Sequence, residues 1–315
     1  MGLLINGQWQ DQDTRRTNSD GEFVRPESSF RHAVTADDRR FPGESGRYHL
    51  FVNAGCPWAY RTILYRSIKG LAPHISLSFT QAAAGPQGWT FGEQPEPMLG
   101  ARHIHDVYSA ADAKFTGRCT VPVLWDKVRS TIVNNESAEI IRMFDSAFDA
   151  LPGVSRVRYY TDDLADEIDA LNDEIYSAVN NGVYRCGFAQ SQSAYDAAYD
   201  VLFHTLDKLD QRLAAQRYLC GAQVTEADWR LFATLVRFDV AYYSQFRCNQ
   251  RRLSDYDNLW PYVRDLHQQP GVAETVDIDA IKGIYFGSRA PGILPKGPVI
   301  DFAQPHDRAA LGAPL

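Results

Sequence analysis

The run Asn53-Ala54-Gly55-Cys56-Pro57-Trp58-Ala59-Tyr60-Arg61 follows directly on His49-Leu50-Phe51-Val52 and constrains this chain more than any other segment. A strand that ends in a turn and restarts as a helix at Pro57 puts proline where its missing N–H costs nothing. Cys56 then stands at the free amides of that helix, where the dipole favours a thiolate over a thiol. Where Cys-x-x-Cys would place a second thiol, the chain has Ala59. A lone thiolate can attack a disulfide or a thioether, but it cannot resolve the mixed disulfide that results. The resolving thiol must come from outside. The competing reading is a buried structural cysteine, a common fate for a free thiol; strand, turn and proline together favour the reactive one.

The flanking pattern supplies the fold around this turn. Tyr48 to Asn53 reads as a strand, Pro57 to Lys69 as a helix stopped by Gly70, and Ile75 to Thr80 as a second, parallel strand. Residues 81 to 104 carry many Gly and Pro with Trp89 and Phe91, and read as a long functional loop. Val121 to Trp125 and Thr131 to Val133 form a hairpin, and Ser137 to Phe148 a helix. The order βαβ, hairpin, helix is the thioredoxin topology. After Gly153 the spacing is helical in Leu164 to Asn180, Tyr195 to Ala215, Glu226 to Tyr242 and Leu259 to His267, with Thr225-Glu226-Ala227-Asp228 close to a capping box. The expected organisation is a polar arm over 1–46, a thioredoxin-like βαβ-ββα domain over 47–153, and an all-helical domain over 154–315 that ends in an irregular tail from Ala290.

Composition removes several function classes. A net charge of −7 argues against a nucleic-acid partner. Five cysteines at irregular positions do not form a disulfide framework, so a reducing compartment is expected. The opening Met1-Gly2-Leu3-Leu4-Ile5-Asn6 is too short in apolar residues for a signal peptide, and no run is long enough to span a membrane. A cytoplasmic protein is the expectation.

Two further motifs suit glutathione as the outside thiol. Val121-Pro122 at a strand start fits a cis-proline facing the cysteine, which would leave the Val121 backbone to pair with an extended peptide; an ordinary trans proline is the alternative. Glu136-Ser137 at a helix start offers amides and a hydroxyl to an anion and a carboxylate to an ammonium, although a plain N-cap reads the same way. With Cys56-Pro57-Trp58-Ala59, Trp89, Arg118 to Asp126, Asn135 to Ile141, Asn180 to Tyr184, Arg237-Phe238-Asp239 and Gly292 to Pro298, the chain resembles the soluble glutathione transferases, and within them the glutathionyl-hydroquinone reductases or Xi class.

That resemblance implies attack of Cys56 on the sulfur of a glutathionyl-hydroquinone and resolution by a second glutathione, the co-substrate. It implies that Trp89 covers glutathione, that Arg118, Thr120 and Val121 hold its peptide part, and that Glu136 and Ser137 hold its γ-glutamyl end. It assigns Tyr184, Tyr242 and Tyr285 of the helical domain to the catalytic group, Tyr184 as the acid that protonates the departing ring. It also implies a homodimer through the helical domains. The chain departs from the family at Ser244-Gln245-Phe246 and at Ile284-Tyr285-Phe286, which bears on quinone specificity.

Two other readings stand beside this one: an omega-type thiol transferase or dehydroascorbate reductase, and a non-catalytic transferase-like binding module. A resolving role for Cys119 is conceivable; Cys186, Cys220 and Cys248 read as fillers. His103 and His105 form a close pair better read as a solvated loop than as a metal site, and no metal is expected.

Overall fold

In the computed structural model, which describes residues 2–11, 16–288 and 292–312, the sequence around Cys56 folds as its pattern predicts. Two short antiparallel ribbons come first: β1 (Leu3–Ile5) with β2 (Gln8–Gln10), and β3 (Arg16–Thr17) with β4 (Phe23–Val24). Then β5 (Tyr48–Val52) leads through the cysteine turn into α1 (Pro57–Ile68) and on to β6 (Ser76–Phe79). After α2 (Ile104–Ala111) come β7 (Val123–Asp126), β8 (Thr131–Asn134) and α3 (Ser137–Ser146). The four strands lie in the order β6-β5-β7-β8, with β6 parallel to β5 and the other pairs antiparallel. All five residues of β5 are buried, the mark of a strand covered on both faces. Gly70, at φ +70°, ends α1; a Cβ there would lie 2.7 Å from the Gly153 carbonyl oxygen.

The remaining elements are helical: α4 (Ala165–Ile175), α5 (Gly182–Phe188), α6 (Gln192–Ala215), α7 (Glu226–Leu235), α8 (Tyr243–Gln245), α9 (Leu259–His267) and α10 (Ile278–Phe286). Every residue of α7 is buried. Its start is the capping box expected from Thr225 and Asp228, the carboxylate accepting from the Thr225 amide at 2.7 Å. Two π-helical turns, Tyr176–Asn180 and Phe238–Tyr242, interrupt what the periodicity reads as continuous helices. Such turns cluster at functional sites. Among the described residues no helix is long and apolar enough to cross a membrane.

The chain divides into two compact units whose boundaries correct the expected ones. One holds β1 and β2, Pro26–Val157 and Glu274–Leu294; the other holds Arg16–Arg25, Arg158–Ala273 and the chain from Pro295. The polar arm is thus shared between the two, its strands of two or three residues being too short to show a period. Helix α10 belongs with the cysteine rather than with the helical unit. The expected tail begins at Ala290 and Pro291, which lie outside the described residues.

Candidate active site

Cys56 is the N-cap residue of α1, with Pro57 in the first turn, and its side chain is buried. Asn53 builds the turn. Its Oδ1 accepts from the Gly55 amide at 3.0 Å, its carbonyl accepts from the Cys56 amide at 3.1 Å, and its Nδ2 donates to Thr80 Oγ1 and the Gln81 carbonyl at 3.0 and 2.8 Å. The strand end, the turn and the start of the long loop are therefore one hydrogen-bonded body. Gly55 allows a close approach: a Cβ on it would lie 2.4 Å from the Ala280 carbonyl oxygen and 2.8 Å from Ile284 Cγ2. Helix α10 is pressed against the turn, with Tyr285 next to Ile284 in sequence.

The Val121–Pro122 bond is cis, and the Val121 carbonyl oxygen lies 4.0 Å from Cys56 Sγ. Thr120 has less to offer a ligand than expected. The Tyr108 hydroxyl donates to the Thr120 carbonyl at 2.8 Å and accepts from its amide at 3.2 Å, while Asn135 Nδ2 donates to the same hydroxyl at 3.0 Å.

Glu136 is the N-cap of α3, its Oε1 accepting from the Ala138 amide at 3.1 Å and its Oε2 from Ser28 at 2.9 Å. A carboxylate has about four lone-pair directions, so capping leaves capacity for an ammonium. Ser137 is buried, its hydroxyl 3.5 Å from Arg61 Nη1, and the Arg61 guanidinium stacks 4.8 Å from the Trp58 ring centroid. Trp89 is buried in the long loop, and its indole N–H has no acceptor among the described residues. Arg118 is half-buried in the same unit.

In the helical unit Tyr184 sits on α5 and Tyr242 ends the second π turn, their ring centroids 6.1 Å apart. Phe246 lies 5.2 Å from the first ring and 5.4 Å from the second. The sequence reading places all three catalytic tyrosines in this unit; Tyr285 instead rides on α10 in the unit of Cys56.

His103 and His105 are not in a solvated loop. They open α2, where His103 and Asp106 form a capping box. Their donor atoms and the Asp106 carboxylate lie within 4.8 Å of one another, but Asp106 accepts from the amides of Arg102 and His103, both at 2.9 Å. Against partial burial, the His105 hydrogen bond and these amides hold its carboxyl at about 2. The arrangement starts a helix. Burial pushes the Cys119 thiol up to about 12, which leaves it protonated at neutral pH and no nucleophile. Sequence reasoning assigns no role to Tyr108, Ser28 or Arg61, since each acts through a contact with a distant segment, and it gives Asn53 none although its turn-building bonds to Gly55 and Cys56 are local.

Comparison with known proteins gives the family. Residues 55–147 match the glutathione S-transferase N-terminal domain and residues 192–265 its C-terminal domain. The chain is 47% identical to glutathionyl-hydroquinone reductase YqjG of Escherichia coli, with 98% of each chain covered, and 47% identical to PcpF of Sphingobium chlorophenolicum, with 97% of each covered. Among solved structures, glutathione-bound YqjG superposes with a TM-score of 0.89 at 44% identity over 98% of this chain and 99% of that one. A Xi-class transferase from Natrialba magadii gives 0.90 at 41% identity over 98% and 97%. The chain belongs to the glutathione transferase family and, within it, to the Xi class of glutathionyl-hydroquinone reductases.

Proposed function

We propose that this protein reduces S-glutathionyl-hydroquinones to hydroquinones with glutathione as co-substrate. The observation that carries this reading is Cys56 at the amide end of α1 with Ala59 in place of a resolving thiol. The Cys56 thiolate attacks the glutathionyl sulfur, forming an S–S bond as the aryl C–S bond breaks. The ring carbon takes a proton and leaves as hydroquinone. A second glutathione thiolate then attacks the mixed disulfide, releasing oxidised glutathione and restoring the Cys56 thiolate. One conjugate and one glutathione thus yield one hydroquinone and one glutathione disulfide.

In this reading Trp89 covers glutathione and donates its unsatisfied indole N–H to it, Arg118 and Val121 take the peptide part, and Glu136 with Ser137 takes the γ-glutamyl end. Tyr184 supplies the proton to carbon, and Tyr242 and Tyr285 are the other members of the catalytic group. Pairing of two copies through the helical unit and a cytoplasmic location accord with the class and with the free thiols. Cys56→Ala should abolish hydroquinone release from a glutathionyl conjugate, followed by chromatography; wild-type turnover in that variant would refute the mechanism. Activity on dehydroascorbate exceeding that on the conjugate would instead favour an omega-type thiol transferase.

A further inference from the structure

The segment Arg16–Arg25 has no part in the chemistry above, yet it lies against the helix that carries Tyr184. The β3–β4 ribbon ends at Val24, and the next residue, Arg25, lays its guanidinium carbon 4.7 Å from the centroid of the Tyr184 ring. This position is held from two sides. Arg25 Nε donates to Asn181 Oδ1 at 2.8 Å, just before α5 begins, and the same guanidinium lies 5.2 Å from the Phe23 ring. Phe23 in turn packs on Phe188 at the far end of α5, with centroids 5.3 Å apart.

The neighbouring charges on the packed elements are engaged elsewhere. Arg185 pairs with Glu22 at 3.4 Å, the Arg247 guanidinium donates to the Cys186 and Gly187 carbonyls at 3.1 and 3.3 Å, and Asp239 accepts from the Leu253 and Ser254 amides at 2.6 and 3.0 Å. Arg25 by contrast lies over the face of the Tyr184 ring.

A cation over the face of a phenol stabilises the phenolate more than the neutral ring, because the negative charge of the anion is shared with that ring. We propose that Arg25 is a positioning and tuning residue for Tyr184, which makes the phenol a stronger acid toward the departing hydroquinone carbon. The inference rests on the reading of Tyr184 as the proton donor. The β3–β4 ribbon then serves to deliver a fixed cation onto one tyrosine.

The test compares Arg25→Gln and Arg25→Lys with Tyr184→Phe, using a glutathionyl-hydroquinone and, separately, glutathione exchange on hydroxyethyl disulfide, which requires no proton at carbon. With Arg25→Gln the ratio of conjugate reduction to disulfide exchange should fall roughly tenfold, between the sizes of an exposed and a desolvated cation–π contact. The loss should lie in kcat rather than KM, and the alkaline limb of the kcat profile should move up by about one pH unit as the phenol weakens. Arg25→Lys should recover most of the ratio. If Tyr184→Phe is impaired while Arg25→Gln matches wild type, or if Arg25→Gln loses both reactions equally, the role of Arg25 is overturned and the reading of Tyr184 stands. If Tyr184→Phe reduces the conjugate as wild type does, the reading of Tyr184 itself fails, and the proposal with it.

Discussion

Gly55→Ala is the smallest change that should uncouple the cysteine turn from the helix behind it. One methyl group is added at a buried position, 2.4 Å from the Ala280 carbonyl oxygen, 2.8 Å from Ile284 Cγ2 and 3.0 Å from the Ala280 carbonyl carbon. Two of these three atoms are backbone, so no rotamer change relieves the overlap; either α10 or the turn must move. Overpacking of this kind costs about 1–3 kcal/mol. Replacing glycine also narrows the unfolded ensemble, which returns about 0.4–1 kcal/mol where the backbone is otherwise tolerant. The net expectation is a loss of about 1–2 kcal/mol in urea unfolding. The catalytic effect should be larger than the thermodynamic one, because the displaced atoms neighbour Cys56 and Tyr285. A misplacement near 1 Å lowers kcat roughly 10- to 100-fold. Adding Ile284→Ala removes the one side-chain clash and should recover only part of both losses. A Gly55→Ala protein with wild-type stability and kcat would refute the claim that α10 is pressed onto the turn.

Two other perturbations read the burial of specific groups. His49, between Ser76 and Ser78 with Glu96 3.8 Å away, is pushed by burial down to about 4 from its ordinary 6.5. Between those values the unfolded chain binds the proton that the folded one refuses, so stability falls as pH drops through this window, by at most about 3 kcal/mol. His49→Gln should flatten that part of the pH dependence of the urea midpoint; an unchanged slope would mean another group carries it. For Cys119, native-state iodoacetamide labelling at pH 8 should modify Cys56 and leave Cys119 untouched, and Cys119→Ser should keep activity within about twofold. Labelling of Cys119 at a rate comparable to Cys56 would contradict its burial.

How far the sequence can be read follows from the range of the interactions involved. The βαβ unit, the hairpin, the cis bond at Val121 and the capping box at Thr225 are local patterns, and each stands where the residues put it. Besides the three-residue α8, three helices are not legible. α2 is short, follows the Gly- and Pro-rich loop and is started by a histidine; α5 has seven residues directly after a π turn; α10 follows a gap and takes its partner from far up the chain. The domain boundary escapes for the same reason, since a helix at 278–286 packs on residue 55 through backbone contact that no periodicity records. At the site, types and spacing point to Cys56, Val121 and Glu136, whereas Tyr108, which takes both backbone groups of Thr120, is known only from the fold.

The same distinction bears on the proposed choice of Cys56 over Cys119 as the nucleophile. Cys56 and Cys119 are both buried, and their neighbourhoods meet near Val121, so burial alone would silence both thiols. What separates them is the direction of the backbone. Cys56 stands where α1 begins, with helix amides that favour an anion, and Asn53 fixes the turn so that these amides cannot drift away. Cys119 lies ahead of a strand, with desolvation as its dominant influence. In the proposed mechanism, reactivity is therefore set by secondary structure before any side-chain partner is counted. On that reading one thiol with Ala59 behind it suffices, provided a second glutathione supplies the resolving sulfur.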